Sequence, residues 1–226
     1  MIHWLAPEDP PERFPPVESA LTDPPGLLAA GADLRPERLL AAYRRGIFPW
    51  YSPGQPVLWW SPDPREVLYP AEFHCSRSLA RRLRRGDFTW HQDRDFPAVI
   101  AACAAPRTQS PGTWITEAMQ EAYCRLHELG YAHSAEVWRG GKLVGGLYGV
   151  RLGAVFFGES MFSREPDASK AALAGLVRQC RADGTQLIDC QLPSAHLRSL
   201  GSRAVPRAQF LRELSDALAQ GVTSLK

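Results

Sequence analysis

Residues 143–191 read LVGGLYGVRLGAVFFGESMFSREPDASKAALAGLVRQCRADGTQLIDCQ, and this stretch decides the fold. Two apolar runs, Leu143–Val150 and Ala154–Phe162, flank a short turn at Arg151–Gly153 and predict a hairpin. Asp167 stands where an N-cap is expected, before a helix in which Ala171, Leu173, Ala174, Leu176, Val177 and Cys180 form an apolar stripe. Gly184 is placed to end that helix, and Gln186–Gln191 reads as a further strand. Residues two apart on a strand face the same way. Asp189 and Gln191 are therefore expected on one face of the LIDCQ strand, with Ile188 and Cys190 on the other. Glu159 is expected on the side of Phe157 and Met161. Two carboxylates on strands that otherwise call for burial need a partner or a task, because an unpaired buried charge is costly. Either arginines neutralise them or they do chemistry.

Working outward, residues 1–25 are proline-rich and read as mostly irregular. Pro36 and Gly46 bracket a short helix, Glu37–Arg45, with Leu39, Leu40 and Tyr43 inward. The following GIFPWYSPGQPVLWWSPDPR concentrates Phe48, Trp50, Tyr51, Trp59 and Trp60 among prolines and glycines. Such aromatics pack a small domain, offer a stacking surface for a planar ligand, or do both. Beyond it the pattern predicts strands at Val67–Tyr69, Phe88–His91, Ser134–Trp138 and Arg203–Val205. Helices are predicted at Arg77–Arg85, Phe96–Ala104, Thr116–Leu129 and Arg207–Ala219. The chain reads as α+β: a small N-terminal domain (1–63), then a larger one (64–226) with a largely antiparallel sheet flanked by helices.

At 226 residues and 45% apolar content, the chain is long enough for a substantial core. No apolar run approaches the ~20 residues that span a bilayer. The opening MIHWLAPEDPPERFPP lacks a basic start and an apolar core, so no signal peptide is read and the expected location is cytoplasmic. Five cysteines without a CxxC pair and six histidines without ligand spacing predict neither disulfides nor a metal. The net charge is only +2, but Ser76–Gly86 carries Arg77, Arg81, Arg82, Arg84 and Arg85 and no acid. These arginines are expected to be largely exposed, as a phosphate-binding face or simply a solvated one.

Several familiar chemistries fail on the residues. Gly158–Glu159–Ser160 opens like a nucleophile elbow, but the second glycine would fall at Phe162. There is no P-loop and no dinucleotide fingerprint. Gly145, Gly146 and Gly149 lie within a strand, where glycine marks close backbone approach or a bulge.

The runs GLLAAGADL, AAYRRGIFPWYSPGQPVLWWSPDPR, GTWIT, AYCRLHELGYAHSAEVWRGGKLVGGLYGV, FFGESMFS, ASK, LIDCQ and HLRSLG, in that order, resemble the bacterial leucyl/phenylalanyl-tRNA–protein transferase family. The likeness extends from about Phe14 to Phe210. It implies a GNAT-like acyltransferase domain behind a small N-terminal domain. It further implies transfer of Leu or Phe, and Met less well, from aminoacyl-tRNA to the N-terminal amine of proteins beginning with Arg or Lys. The product is marked for degradation under the N-end rule.

Carried over residue by residue, the resemblance assigns catalysis to Asp189 and Gln191, with Glu159 nearby to orient the amine or the basic acceptor side chain. Asp189 would attract the ammonium and accept or orient its proton, and Gln191 would bridge to the reacting centre. Leu147, Met161, Phe156 and Phe162 would form the dry pocket for the transferred side chain. The family tends to have methionine where this chain has Leu147. Trp50 and Trp114 would stack on the terminal adenosine, and the five arginines would hold the acceptor-stem backbone. No cofactor is expected, and the default state is a monomer without membrane contact. Two rivals are an acyl-CoA-dependent N-acetyltransferase and a non-catalytic tRNA-binding module. The first is disfavoured because SREPDASK, the turn before the central helix, has no glycine; the second leaves Glu159, Asp189 and Gln191 unexplained.

Overall fold

Two sheets organise the computed structural model, which describes residues 2–106 and 113–220. The smaller holds β1 (His3–Leu5), β2 (Leu27–Gly31), β3 (Phe48–Pro49) and β4 (Leu58–Trp60), in the order β1-β2-β4-β3. Helix α1 (Pro36–Arg44) joins β2 to β3. The sequence pattern predicted α1 to within one residue but not this sheet. Its strands are too short for a legible alternation, and β2 (LLAAG) is buried throughout. Fully buried Trp59 holds the sheet by donating from Nε1 to the Gly31 carbonyl at 3.0 Å and meeting Phe14 edge-on at 5.0 Å.

The larger sheet follows. In chain order come β5 (Arg65–Leu68), α2 (Arg77–Arg84), β6 (Thr89–Gln92), α3 (Phe96–Ala104), α4 (Glu117–Glu128), β7 (Ala132–Arg139), β8 (Lys142–Leu152) and β9 (Val155–Ser163). Then come α5 (Ala168–Asp183), β10 (Leu187–Gln191), α6 (Ala195–Arg198), β11 (Arg203–Val205) and α7 (Arg207–Leu218). The sheet order is β11-β5-β10-β9-β8-β7-β6; β9 and β10 run parallel and every other pair is antiparallel. The fold is thus α+β with a mostly antiparallel sheet between helices, as the element pattern leads one to expect. One face packs Leu39 and Tyr43 of α1, Phe96 of α3, Met119 and Tyr123 of α4, and Phe210 of α7 into one core. The other face carries α5 and Leu79 of α2. Among the described residues no helix is long and apolar enough to cross a membrane.

Helix α5 sits close on the sheet because glycine clears its path. A Cβ on Gly145 would lie 2.5 Å from the Ala168 Cβ, and one on Gly175 would lie 2.0 Å from the Trp90 ring. The start of α5 differs from expectation. Asp167 occupies the N-cap position at φ 66°, but its carboxylate bonds Lys170 Nζ at 2.9 Å instead of capping. Ser163 Oγ takes the Ser169 N–H at 3.1 Å in its place. The left-handed backbone at Asp167 accompanies this exchange. At the other end, Gly184 closes the helix at φ 80°.

One buried group ties both sheets together. Arg65 of β5 donates from Nε to Asp189 Oδ1 at 2.8 Å, from its NH2 nitrogen to Oδ2 at 2.6 Å, and from its NH1 nitrogen to the Gly46 carbonyl at 3.1 Å. Its guanidinium lies between the rings of Phe48 and Phe210, 4.8 and 4.7 Å from their centroids. The two ionic side chains are 1% and 0% exposed. Removing one partner of such a pair strands a buried charge, at a cost of about 3–5 kcal/mol. We therefore expect Arg65→Met to lose stability on that scale in denaturant melts, and Arg65→Met/Asp189→Leu to recover most of it. A double variant as unstable as the single one would show that the rings, not the charges, set the cost.

Candidate active site

Strands β9 and β10 pair only from Val155–Phe157 against Leu187–Asp189, and then diverge. Two irregularities split them. On β9, the register with β8 steps from Gly149↔Gly158 to Tyr148↔Ser160, leaving Glu159 as the extra residue of a bulge. On β10, the register with β5 shifts between Asp189 and Gln191, and Gln191 adopts φ 57°. A cavity of about 930 Å³ opens beside the gap, lined by Glu159, Met161, Ile188, Cys190 and Gln191 among others.

The bulge corrects the expected facing of β9. Phe157 packs in the core with Tyr43, whereas Met161 packs on the opposite side with the α5 core. Glu159 turns to the Phe157 side, where Tyr123 Oη donates to its Oε2 at 3.1 Å. Tyr43 Oη in turn meets Tyr123 Oη. Gln191 Nε2 approaches Glu159 Oε1 at 3.4 Å. Asp189 and Gln191 turn to the side opposite Ile188 and Cys190, as strand alternation leads one to expect: Asp189 points into the buried pair with Arg65, and its Oδ1 accepts the Gln191 N–H at 3.0 Å. Asp189 thus fixes the backbone turn that presents Gln191.

Of the two carboxylates, Asp189 is neutralised by an arginine. Glu159 forms no ion pair among the described residues and is hydrogen-bonded to neutral groups. Burial pushes the Glu159 carboxyl up to about 7, against the hydroxyls of Tyr43 and Tyr123, which favour its charged form; Asp189 adds to the rise and Arg65 offsets it. Burial likewise pushes the Cys190 thiol far up, so it is protonated at neutral pH; it sits half-buried against the α5 core.

The residues expected to form the apolar pocket, Leu147, Phe156, Met161 and Phe162, all line the large cavity. Leu173 and Leu176 of α5, with Ile188 and Leu197, complete its wall. Those four escaped notice because a helical stripe and a buried strand position read equally well as plain core. A second cavity of about 190 Å³ lies between Trp50, Trp114, Phe48 and Leu192, and shares Trp114, Glu159, Cys190, Gln191 and Leu192 with the first. Trp50 is 37% exposed and tilts against Trp60 at 5.5 Å. The arginine helix stands apart, and none of its five arginines lines either cavity. Arg77, Arg81, Arg84 and Arg85 are exposed. Arg82 departs from expectation: it is 17% exposed, bonds Asp87 at 2.5 Å and lies over the Phe88 ring.

This geometry accords with what similar proteins are. The family model described as leucyl/phenylalanyl-tRNA protein transferase matches residues 67–215, and the model of that family's N-terminal domain matches residues 32–63. A leucyl/phenylalanyl-tRNA–protein transferase of Stutzerimonas stutzeri (strain A1501) is 60% identical over 215 residues, 95% of this chain and 94% of the relative. One of Pseudomonas entomophila (strain L48) is 59% identical over 220 residues, 97% of this chain and 96% of the relative. Among solved structures, a GCN5-related N-acetyltransferase from Kribbella flavida is similar at a TM-score of 0.38 and 13% identity, over 76% of this chain and 61% of that one. With the family's two models spanning most of the sequence and relatives near 60% identity along its length, the chain belongs to the leucyl/phenylalanyl-tRNA–protein transferase family of aminoacyltransferases.

Proposed function

We propose that this enzyme transfers Leu or Phe, and Met less well, from aminoacyl-tRNA to the N-terminal amine of proteins that begin with Arg or Lys, marking them for degradation. The observation that carries the reading is Glu159. It is an unpaired carboxylate at the seam where an apolar cavity meets an aromatic one. The transferred side chain fills the cavity of Leu147, Phe156, Met161 and Phe162, which asks nothing of its hydrogen-bonding capacity. Trp50 and Trp114 stack on the terminal adenosine. The two ends of the aminoacyl ester then straddle Glu159 and Gln191.

The ester is already activated, so no enzyme nucleophile is required. The acceptor nitrogen attacks the ester carbonyl carbon, the bond to the ribose oxygen breaks, and the amine gives up a proton as the ribose oxygen gains one. Glu159 is the acceptor we assign for the amine proton, because it reaches the cavity and its carboxyl sits near 7, close to the ~8 of an α-amine. Asp189 is fully buried against Arg65, so we assign it to positioning Gln191 and not to accepting a proton. Gln191 bridges Glu159 to the reacting centre. An acyl-CoA donor is a poorer fit, since Ser163 Oγ already takes the Ser169 N–H at the helix start where a pyrophosphate needs free amides. Exposed Arg77, Arg81, Arg84 and Arg85 hold the acceptor-stem phosphates, with the paired Arg82 fixing that helix. We place the domain boundary between residues 63 and 64 and take the enzyme to be a cytoplasmic monomer.

Glu159→Gln should lower kcat by about a hundredfold or more with aminoacyl-tRNA affinity unchanged. The folded-state carboxyl lies above its unfolded value, so its ionisation costs stability as pH rises through 7. The same variant should therefore melt higher than wild type at pH 8 and equally at pH 4. Full transfer by Glu159→Gln would refute its role. Reversing Arg81 and Arg84 to Glu should weaken tRNA binding and lower the salt slope by about 2, whereas an unchanged slope would remove that helix from the interface.

A further inference from the structure

Tyr43 and Tyr123 lie outside every role assigned above, yet they are the groups Glu159 leans on. Tyr43 comes from α1, in the segment that builds the small sheet, and Tyr123 from α4; both are 0% exposed. Their rings are locked. Tyr43 packs on Phe157 at 5.0 Å, and Tyr123 packs edge-on to Tyr148 at 5.6 Å. Neither hydroxyl can swing away to another partner without breaking that packing.

The direction of the hydrogen bonds is informative. Tyr123 donates to Glu159 Oε2 at 3.1 Å, which leaves Tyr43 to donate to the Tyr123 oxygen. Gln191 Nε2, an obligate donor, faces Oε1 at 3.4 Å. Both carboxylate oxygens therefore already meet donors. Protonation would remove the charge that strengthens these donated bonds. Tyr43 is hydrogen-bonded to Glu159 as well as to Tyr123, so both hydroxyls are turned on the one carboxyl. The donors turned on Glu159 favour its carboxylate form, against the burial that favours the neutral one.

We infer that Tyr43 and Tyr123 are positioning residues for transfer: their hydroxyl chain holds Glu159 as an ionised, fixed proton acceptor inside a site whose burial would otherwise keep it protonated. The inference rests on the assignment of Glu159 as the acceptor of the amine proton. The titratable and charged groups facing Glu159 are Tyr43 of α1, Tyr123 of α4, Tyr148 of β8, Asp189 of β10 and Arg65 of β5. Asp189 and Arg65 are spent on each other, so the two tyrosines are the adjustable counterweight to burial. It follows that α1 takes part in the chemistry of a site otherwise built on the larger sheet.

The test is the pH profile of kcat/KM for transfer, measured from pH 5.5 to 9 on the full-length enzyme with Leu-tRNA and an Arg-initiated peptide. Tyr123→Phe keeps the ring and removes the hydroxyl. Loss of one hydrogen bond to a charged group moves a titration by about one pH unit, a tenfold change. The acidic limb should therefore shift to higher pH by about that amount, leaving transfer roughly tenfold down at pH 6.5 and near wild type at pH 8.5. Tyr43→Phe should shift it in the same direction by less. A purely structural role predicts a uniform loss across pH with the limb unmoved, and that result overturns the proposal. Glu159→Gln separates the layers, because it should remove the component of the acidic limb near pH 7 and leave only that of the peptide amine near ~8. If it does so while the tyrosine variants leave the limb in place, the tyrosine role alone falls. If the component near pH 7 survives in Glu159→Gln, the assignment beneath it falls as well.

Discussion

The pairing of Arg65 with Asp189 is the constraint from which the rest of the site follows. Two charges with almost no solvent contact are tolerable only when each is fully engaged, and here they are. The guanidinium spends three nitrogens on Asp189 and the Gly46 carbonyl, and its faces on Phe48 and Phe210. Those partners come from the small sheet, the last helix and the strand that carries Gln191. One ion pair thereby sets how β5, β10, α7 and the N-terminal segment meet. It also sets the backbone turn at Gln191, whose N–H bonds Asp189 and whose φ of 57° few side-chain-bearing residues adopt.

Two carboxylates on neighbouring strands end in opposite conditions because their partners differ in charge. Asp189 faces a guanidinium, which neutralises it. Glu159 faces hydroxyls and an amide, which orient it without neutralising it, and burial lifts its carboxyl to about 7. Environments that push apart two chemically similar groups are the usual mark of divided roles in catalysis. The local cause is covalent and simple: one extra residue in β9 turns Glu159 away from Met161 and toward α1 and α4.

Much of this was legible in the amino-acid order. Long elements with clear period or punctuation, such as α5 ending at Gly184 or α3 at Phe96–Ala104, carry their own signals. The glycines of close approach in β8 were readable from their place in a strand. Other features escaped because their causes are non-local. The strands of the small sheet are too short to show a period, and their pairing is fixed by the burial of Trp59. A bulge leaves no trace in alternation when apolar residues stand on both sides of it, so Met161 is expected beside Phe157 and Glu159 but lies on the opposite side. The match of Arg65 to Asp189 spans 124 positions, and no spacing rule reaches that far. Asp167 is well placed to cap α5, but a lysine three residues on takes its carboxylate.

The account stands or falls on whether this chain joins an activated aminoacyl group to a basic N-terminus. The most direct measurement supplies radiolabelled Leu-tRNA and Phe-tRNA with two peptides that differ only in their first residue, Arg or Ala. Label from both tRNAs on the Arg peptide and none on the Ala peptide is the predicted result. Binding of the tRNAs with no label on either peptide would contradict it, and would leave Glu159 and Asp189 as structural groups in a binding protein.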